Sequence, residues 1–470
     1  MNYRLYLNLA HFDESWKKVC AMSIARDLAT FLTRVSYAEI PTQALEHAAM
    51  LISSTVASAA WGSGIASSSI MRALAKERGG TPDASIWFDS GNKLPVASAA
   101  QVNAVMSDAA ASDDSDLRNI VHAGTTLVST SLAIAERTGA SGQDVLAAIV
   151  LGYEASGRIG EAITPAFQTR GFHGCLVAIF GGTVAAARLL QLDEVQMAQG
   201  IALCATSIGG LRAAADTSES REYHAGLAAM LGIQAALAAE RGFIAEEGIL
   251  ETQRGFFAVY GDTDGASVTR DLGDAWDIIT DMAIKLVPGG HPSHSLAEAA
   301  ANAARAGQIA PDEVETITLS RPGVTALTGP IHPTNLIDMA HSPAYFLAAG
   351  VADQTFSWSH ATETKIMDPV IHELIDKVRV GTPPKQGVEQ YKQGATVTIQ
   401  TKDGRTFSST VFAPKGSGAL GIDWADVDAK YRSLVPRAQV SDQRVEGSLQ
   451  VIHEFGNVKH VSELIDLLHN

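Results

Sequence analysis

The strongest constraint on this chain is a long series of small apolar residues at helical spacing, which stops near residue 282 and gives way to alternation. From residue 23 to about 281, apolar side chains recur three and four apart, as at Leu45, Ala48, Ala49, Ile52 and Val56. VAAARLL from Val184 and LAAMLGIQAALAAE from Leu227 are apolar nearly all round. Helices this rich in alanine and glycine can approach closely, so the pattern predicts a central bundle. Beyond 282, VETITLS (Val314–Ser320), KVRVG (Lys377–Gly381) and ATVTIQT (Ala395–Thr401) alternate with period two. Asp403-Gly404 then predicts a type I′ hairpin into TFSSTVF. Helical stretches are expected near Ser295–Ala306 and Pro343–Asp353, and helical periodicity returns from Trp424.

The expected fold is mainly α: a large all-helical domain (23–281), a smaller α+β lid domain (282–416), and C-terminal helices (417–470) that rejoin the first domain. Residues 1–22 carry His11, Asp13 and Glu14 where a signal peptide needs an apolar stretch, and read as a leader or loosely ordered N-terminus.

Lys and Arg number 35 against 51 Asp and Glu, a net charge of −16. Such a surface repels nucleic acid and anionic membrane, so an anionic ligand would need a local basic island. The longest apolar runs, Cys175–Ala187 and Leu227–Ala239, fall short of the ~18–20 residues of a membrane span, and a cytoplasmic protein is expected. Cys20, Cys175 and Cys204 are scattered and odd in number, which suits neither a disulfide framework nor a zinc knuckle. GSGALG (Gly416–Gly421) fits a dinucleotide fingerprint only formally: too little chain follows it, and the strand before it belongs to a hairpin. His291-Pro-Ser-His294 is a poor metal pair, and Asp262-Thr-Asp264-Gly265 lacks the rest of a calcium loop. No metal and no organic cofactor are expected.

Five polar clusters interrupt the apolar sequence. SDDSDLRNIVHAG holds Asp113, Asp114, Asp116 and His122: a solvated capping loop, or a carboxylate–histidine acid/base site. RGFHGC holds Arg170 and His173. SREYHAG holds Arg221, Tyr223 and His224 at a helix start, where an arginine opposes the dipole unless it binds an anion. Lys285 stands alone among apolar residues in DMAIKLVPGGHPSH, either snorkelling or poised in a cleft. DMAHSPAY holds His341 and Tyr345, the latter a core tyrosine or a pocket one.

Together, in this order, the clusters resemble the MmgE/PrpD family of 2-methylcitrate dehydratases, cis-aconitate decarboxylases and iminodisuccinate epimerases. SDDSDLRNIVHAG is similar to its D-F-D-D-T…H-P block, RGFHGC to G-W-H-x-T, and SREYHAGLAA to T-K-P-x-H-x-G-x-A-A. Lys285–His294 is similar to K-x-x-P-x-C-x-x-T-H, and AHSPAY to the segment that supplies a pocket tyrosine. The likeness runs from about Ser23 to Tyr431. It implies a homodimer with no metal or cofactor, a cleft between helical domain and lid, and a small polycarboxylate substrate. The implied catalytic residues are His122, Asp114, Lys285, Tyr345 and His173; Arg221, His224, Asp113 and Ser115 are implied to hold the substrate.

This chain departs from the pattern at Ala111 for the first aspartate, Arg221 for lysine, Glu222 for proline, and Gly289-Gly290 in the cysteine region. Arginine grips a carboxylate but gives up no proton at neutral pH. The expected activity is therefore a lyase of hydratase/dehydratase type that removes a proton α to a carboxylate, with little turnover of 2-methylcitrate. An epimerase or decarboxylase, and a non-catalytic carboxylate binder, are the alternatives.

Overall fold

A computed structural model describes residues 23–207, 209–213, 218–418 and 420–469. The leader expected at 1–22 lies outside the described residues. The protein is mainly α. Its first half holds α1 (Ile24–Arg34), α2 (Thr42–Gly62), α3 (Ala66–Arg78), α4 (Val96–Ala109), α5 (Ala123–Thr138), α6 (Gly142–Ile163), α7 (Cys175–Leu189), α8 (Glu194–Cys204) and α9 (Ser220–Glu240). Glycine and alanine let these helices touch. A Cβ on Gly152 of α6 would stand 2.7 Å from the Gly181 carbonyl of α7, and one on Gly232 of α9 would stand 3.1 Å from the Ile179 carbonyl. Caps follow local chemistry: Ser23 and Ser141 accept helix N–H groups, and Ser141 with Asp144 forms a capping box.

Helix was expected up to 281, but 241–281 is mostly turns, with a π-helical turn at Phe257–Gly261 and a short helix at Asp277–Thr280. Gly-Asp-Thr-Asp-Gly and Arg-Asp-Leu-Gly-Asp punctuate it too densely for a helix to propagate. Short strands also interrupt the helical half. β1 (Ala84–Ser85) pairs β2 (Lys93–Leu94), and β3 (Asp114–Asp116) pairs β4 (Met282–Ile284). Neither two-stranded sheet is a central sheet.

The second half carries α10 (His291–Gly307), β5 (Val314–Ser320), α11 (Pro343–Ala352), α12 (Pro369–Ile375), β6 (Val378–Val380), β7 (Ala395–Thr401) and β8 (Thr406–Val411). The four strands form one sheet in the order β6-β5-β7-β8, with β5 and β6 parallel and the other pairs antiparallel. The β7–β8 hairpin forms where expected, but its turn is not type I′. Only Gly404 has a positive φ (88°), and its N–H bonds the Thr401 carbonyl at 2.9 Å. This is a longer loop closed by a left-handed glycine.

Buried apolar residues fall into two clusters. One spans Ala25–Ile284 with Trp358 and the C-terminal helices α13 (Trp424–Leu434) and α14 (Asp442–His453); the other spans Leu296–Val411. Trp61 and Trp358 meet between them, ring centres 5.3 Å apart. The Gly416–Gly421 loop pairs with β4: the Gly416 carbonyl accepts the Ile284 N–H, and a Cβ on Gly416 would stand 2.5 Å from the Ile284 carbonyl. Gly416 and Gly418 thus serve close packing, whereas Gly421 serves a left-handed turn at φ +82°. No single described helix is long and apolar enough to cross a membrane; the pair α2 and α3 passes that test only across a 94° bend.

Candidate active site

The β3–β4 ladder builds the site. Asp114 lies opposite Ile284, so the next residues outward, Asp113 and Lys285, are also brought together. The Lys285 N–H bonds the Asp113 carbonyl at 3.1 Å, and its Nζ donates to Asp113 Oδ1 at 2.7 Å. Both side chains are almost wholly buried, at 3% and 1% exposure. The acidic block is therefore a buried strand and not a solvated loop.

His122 stands at the start of α5. Its Nδ1 lies 2.7 Å from the Asp114 carbonyl and 3.0 Å from Asp113 Oδ2. One N–H cannot be aimed at both, so we assign it to the carbonyl; the carboxylate acts through its charge. Burial works against a charged imidazole, but Asp113 outweighs it and holds the His122 pKa above the ordinary value. Burial likewise opposes the Asp113 charge, yet His122 and Lys285 hold that carboxyl well below its usual range. Asp114 differs. Its oxygens accept the Gly124 N–H at 2.8 Å and the Tyr153 hydroxyl at 3.1 Å, and burial beside Asp113 raises its pKa to about 6.

A cavity of about 200 Å³ opens beside these groups. Its described lining includes His122, His173, Ser115, Arg212, Arg221, Lys285, His291 and His341, and no carboxylate. Arg221, second residue of α9, donates from Nε to Asp108 Oδ2 at 2.9 Å and from Nη2 to the Asp108 carbonyl at 2.6 Å. That partner answers why an arginine stands at a helix start. Burial opposes its charge, and Asp108 more than offsets this, leaving the pKa raised. Ser115 Oγ is buried with no hydrogen-bond partner among the described residues. Burial, then the cationic His122, drive the His173 pKa well below its ordinary value, so its ring is neutral. His224 lies behind it, ring centres 5.1 Å apart, and does not line the cavity.

Tyr345 is not brought to the cavity. It is wholly buried in the second cluster, its hydroxyl donating to the His360 carbonyl at 3.0 Å. His341, four residues earlier, lines the cavity instead.

Sequence reasoning left two buried groups outside the site. His291, weighed there only as a poor metal ligand, lines the cavity with neither ring nitrogen partnered among the described residues. Lys430 of α13 donates to Ser54 Oγ at 2.7 Å and to the Ser112 carbonyl, directly under the Asp113 turn, and burial lowers its pKa to about 7. The available signal was its place on the buried face of α13, with Val427, Tyr431 and Leu434.

The cavity floor needs Gly289. Its φ is +100°, its N–H bonds the Ala111 carbonyl at 2.8 Å, and a Cβ there would stand 2.5 Å from the Phe346 ring. Gly289→Ala is expected to cost on the order of 2 kcal/mol in urea denaturation, through backbone strain and overpacking. An unchanged midpoint would show that the floor yields.

With this geometry in place, the comparisons define the class. The sequence matches the MmgE/PrpD N-terminal domain over residues 26–269 and the MmgE/PrpD C-terminal domain over residues 288–453. The chain belongs to the MmgE/PrpD family. It is 25% identical to cis-aconitate decarboxylase of Homo sapiens, over 82% of this chain and 81% of that protein. It is 24% identical to cis-aconitate decarboxylase of Aspergillus terreus, over 95% and 96%. The cis-aconitate decarboxylase-like protein oryM of Aspergillus oryzae is 26% identical, over 78% and 82%.

Proposed function

We propose that this protein is a lyase acting on a small polycarboxylic acid, and that decarboxylation is its first reaction to test. The observation that carries this reading is the lining of the cavity: Arg212, Arg221, Lys285 and His122 without a carboxylate, in a chain of net charge −16. The volume is below the roughly 300–1,000 Å³ of drug-sized pockets and suits a small metabolite. Fixed cations in a partly desolvated cavity act most strongly where negative charge develops.

In decarboxylation the bond from carbon to a carboxylate breaks, CO2 leaves, and the electron pair stays on carbon, spread toward an adjacent unsaturated or carboxylate group. A proton then quenches that carbon, and no base is needed. His122, whose charged form Asp113 favours, is positioned as the donor. The relatives named as cis-aconitate decarboxylases make cis-aconitate the first substrate to try. Neutral His173 supports a second reading, dehydration or epimerisation, which starts by taking a proton α to a carboxylate.

Incubation in D2O with cis-aconitate and a panel of di- and tricarboxylates, followed by NMR, tests both. CO2 release with deuterium on the product supports decarboxylation. Deuterium exchange without CO2 supports the second reading. Saturable binding with neither would leave a carboxylate binder and overturn the enzyme reading.

2-Methylcitrate is expected to turn over far below the roughly 1–10³ per second typical of enzymes. Arg221, doubly bonded to Asp108, holds a carboxylate without passing a proton. Efficient dehydration in a coupled absorbance assay would reverse this. Activity is also expected to survive exhaustive chelation, because a cationic, acid-bearing cavity supplies the chemistry unaided; loss restored by one metal ion would overturn that.

The same reading takes residues 282–416 as a lid, since Gly289–Pro292 and His341 line the cavity together with His122 and His173. It takes the active form as a cytoplasmic homodimer, in which exposed Phe243 and Ile244 would be covered.

A further inference from the structure

Behind the cavity wall, His173, Cys175 and His224 converge. Cys175 opens α7, His173 lies two residues before it, and His224 comes from the first turns of α9. One ligand atom from each lies within 4.8 Å of the other two. His224 Nδ1 is buried and unpartnered among the described residues. Among the described residues, the Cys175 thiol lies 3.5 Å from the Gly209 carbonyl and 3.9 Å from that of His173. Gly210, at φ +86°, keeps the space between them open. A Cβ there would stand 2.6 Å from Cys175 Sγ and 3.5 Å from His224 Nδ1.

We propose that His173, Cys175 and His224 form a site for a thiophilic divalent ion, best matched by Zn2+, and that occupancy switches the cavity off by holding His173. One thiolate and two imidazoles are the donor set zinc prefers, with a fourth position left to water. Bonds of about 2.0–2.3 Å place tetrahedral ligand atoms roughly 3.3–3.8 Å apart, so side-chain rotation of about an ångström closes the set. Binding is not redox: the Cys175 thiol passes one proton to solvent and the sulfur pair goes to the ion. Inhibition rests on the reading that His173 serves the cavity; the metal site does not. Sequence alone offered no closed set here, because His224 lies 49 residues beyond Cys175 and only the α7–α9 packing joins them.

The test titrates metal-stripped protein with Zn2+ against a chromogenic chelator and, separately, with Co2+. One Zn2+ per chain, one proton released, and a thiolate-to-cobalt charge-transfer band are expected. Cys175→Ala should weaken binding by well over the roughly 100-fold that loss of an outer partner costs, remove the band, and keep basal turnover. His224→Gln gives an independent binding check should Cys175→Ala fail to fold. Unchanged zinc affinity in the variants would overturn the site. Zinc held through Cys175 with undiminished turnover would overturn the inhibition. The binding readouts need no substrate, so they stand or fall apart from the proposed activity.

Discussion

Lys285→Met is expected to cost roughly 3–5 kcal/mol of stability, as well as two to three decades in kcat/KM. On sequence alone a lone lysine here would be replaceable without loss of fold. The structure changes that expectation, because Lys285 Nζ is 2.7 Å from Asp113 Oδ1 and both groups are shut away from water. Methionine fills the space but removes the cation hydrogen-bonded to a buried carboxylate, leaving His122 at 3.0 Å as its close partner. The double variant Lys285→Met with Asp113→Asn removes both charges and should recover most of the stability while leaving activity low. Denaturation midpoints and steady-state kinetics separate the two effects. A single variant as stable as the parent, with unchanged kinetics, would show that the pair is neither structural nor catalytic.

His122→Gln is expected to lower kcat by roughly 10²–10⁴, the usual worth of a positioned acid. The pH profile identifies the role. Asp113 raises the His122 pKa, so activity that needs the protonated ring is full at low pH and falls as pH rises through that elevated value. Asp113→Asn should move this alkaline limb to lower pH. Stability follows the activity limb in sign for His122 and runs the opposite way for Asp113. The raised histidine contributes fully below its unfolded pKa near 6.5 and is lost as pH rises through the folded value. The depressed Asp113 contributes above about 3.9 and is lost as pH falls through its folded value. A limb that ignores Asp113→Asn would remove His122 from the role of acid.

The helices were legible because α2, α6, α7 and α9 carry their own small-residue periodicity, and β5, β7 and β8 their own alternation. The strand β3 was not. Asp-Ser-Asp has no strand propensity, and only its pairing with β4, far along the chain, makes it one. Polar clusters drew attention to His122, His173, Arg221 and Lys285, all of which line the cavity. The family resemblance also put Tyr345 there, although its apolar neighbours in α11 bury it in the second cluster. Lys430 escaped because a single lysine in a short helix carries no motif; only its apolar face marks it. The His173–Cys175–His224 grouping escaped because its members come from two packed helices.

The β3–β4 ladder also sets a schedule. Asp113 meets its cation only when a residue 172 positions later has left the ribosome, and the Ser112 carbonyl waits 318 positions for Lys430. At roughly 5–20 residues per second, the first wait alone is about 10–30 s. During that time the nascent helical half must keep Asp113, Asp114 and Asp116 hydrated and cannot close over them. Burial of the acidic strand is therefore expected to come late in synthesis, and a chain stopped before Lys430 would carry Asp113 and His122 without the lysine that holds the Ser112 carbonyl.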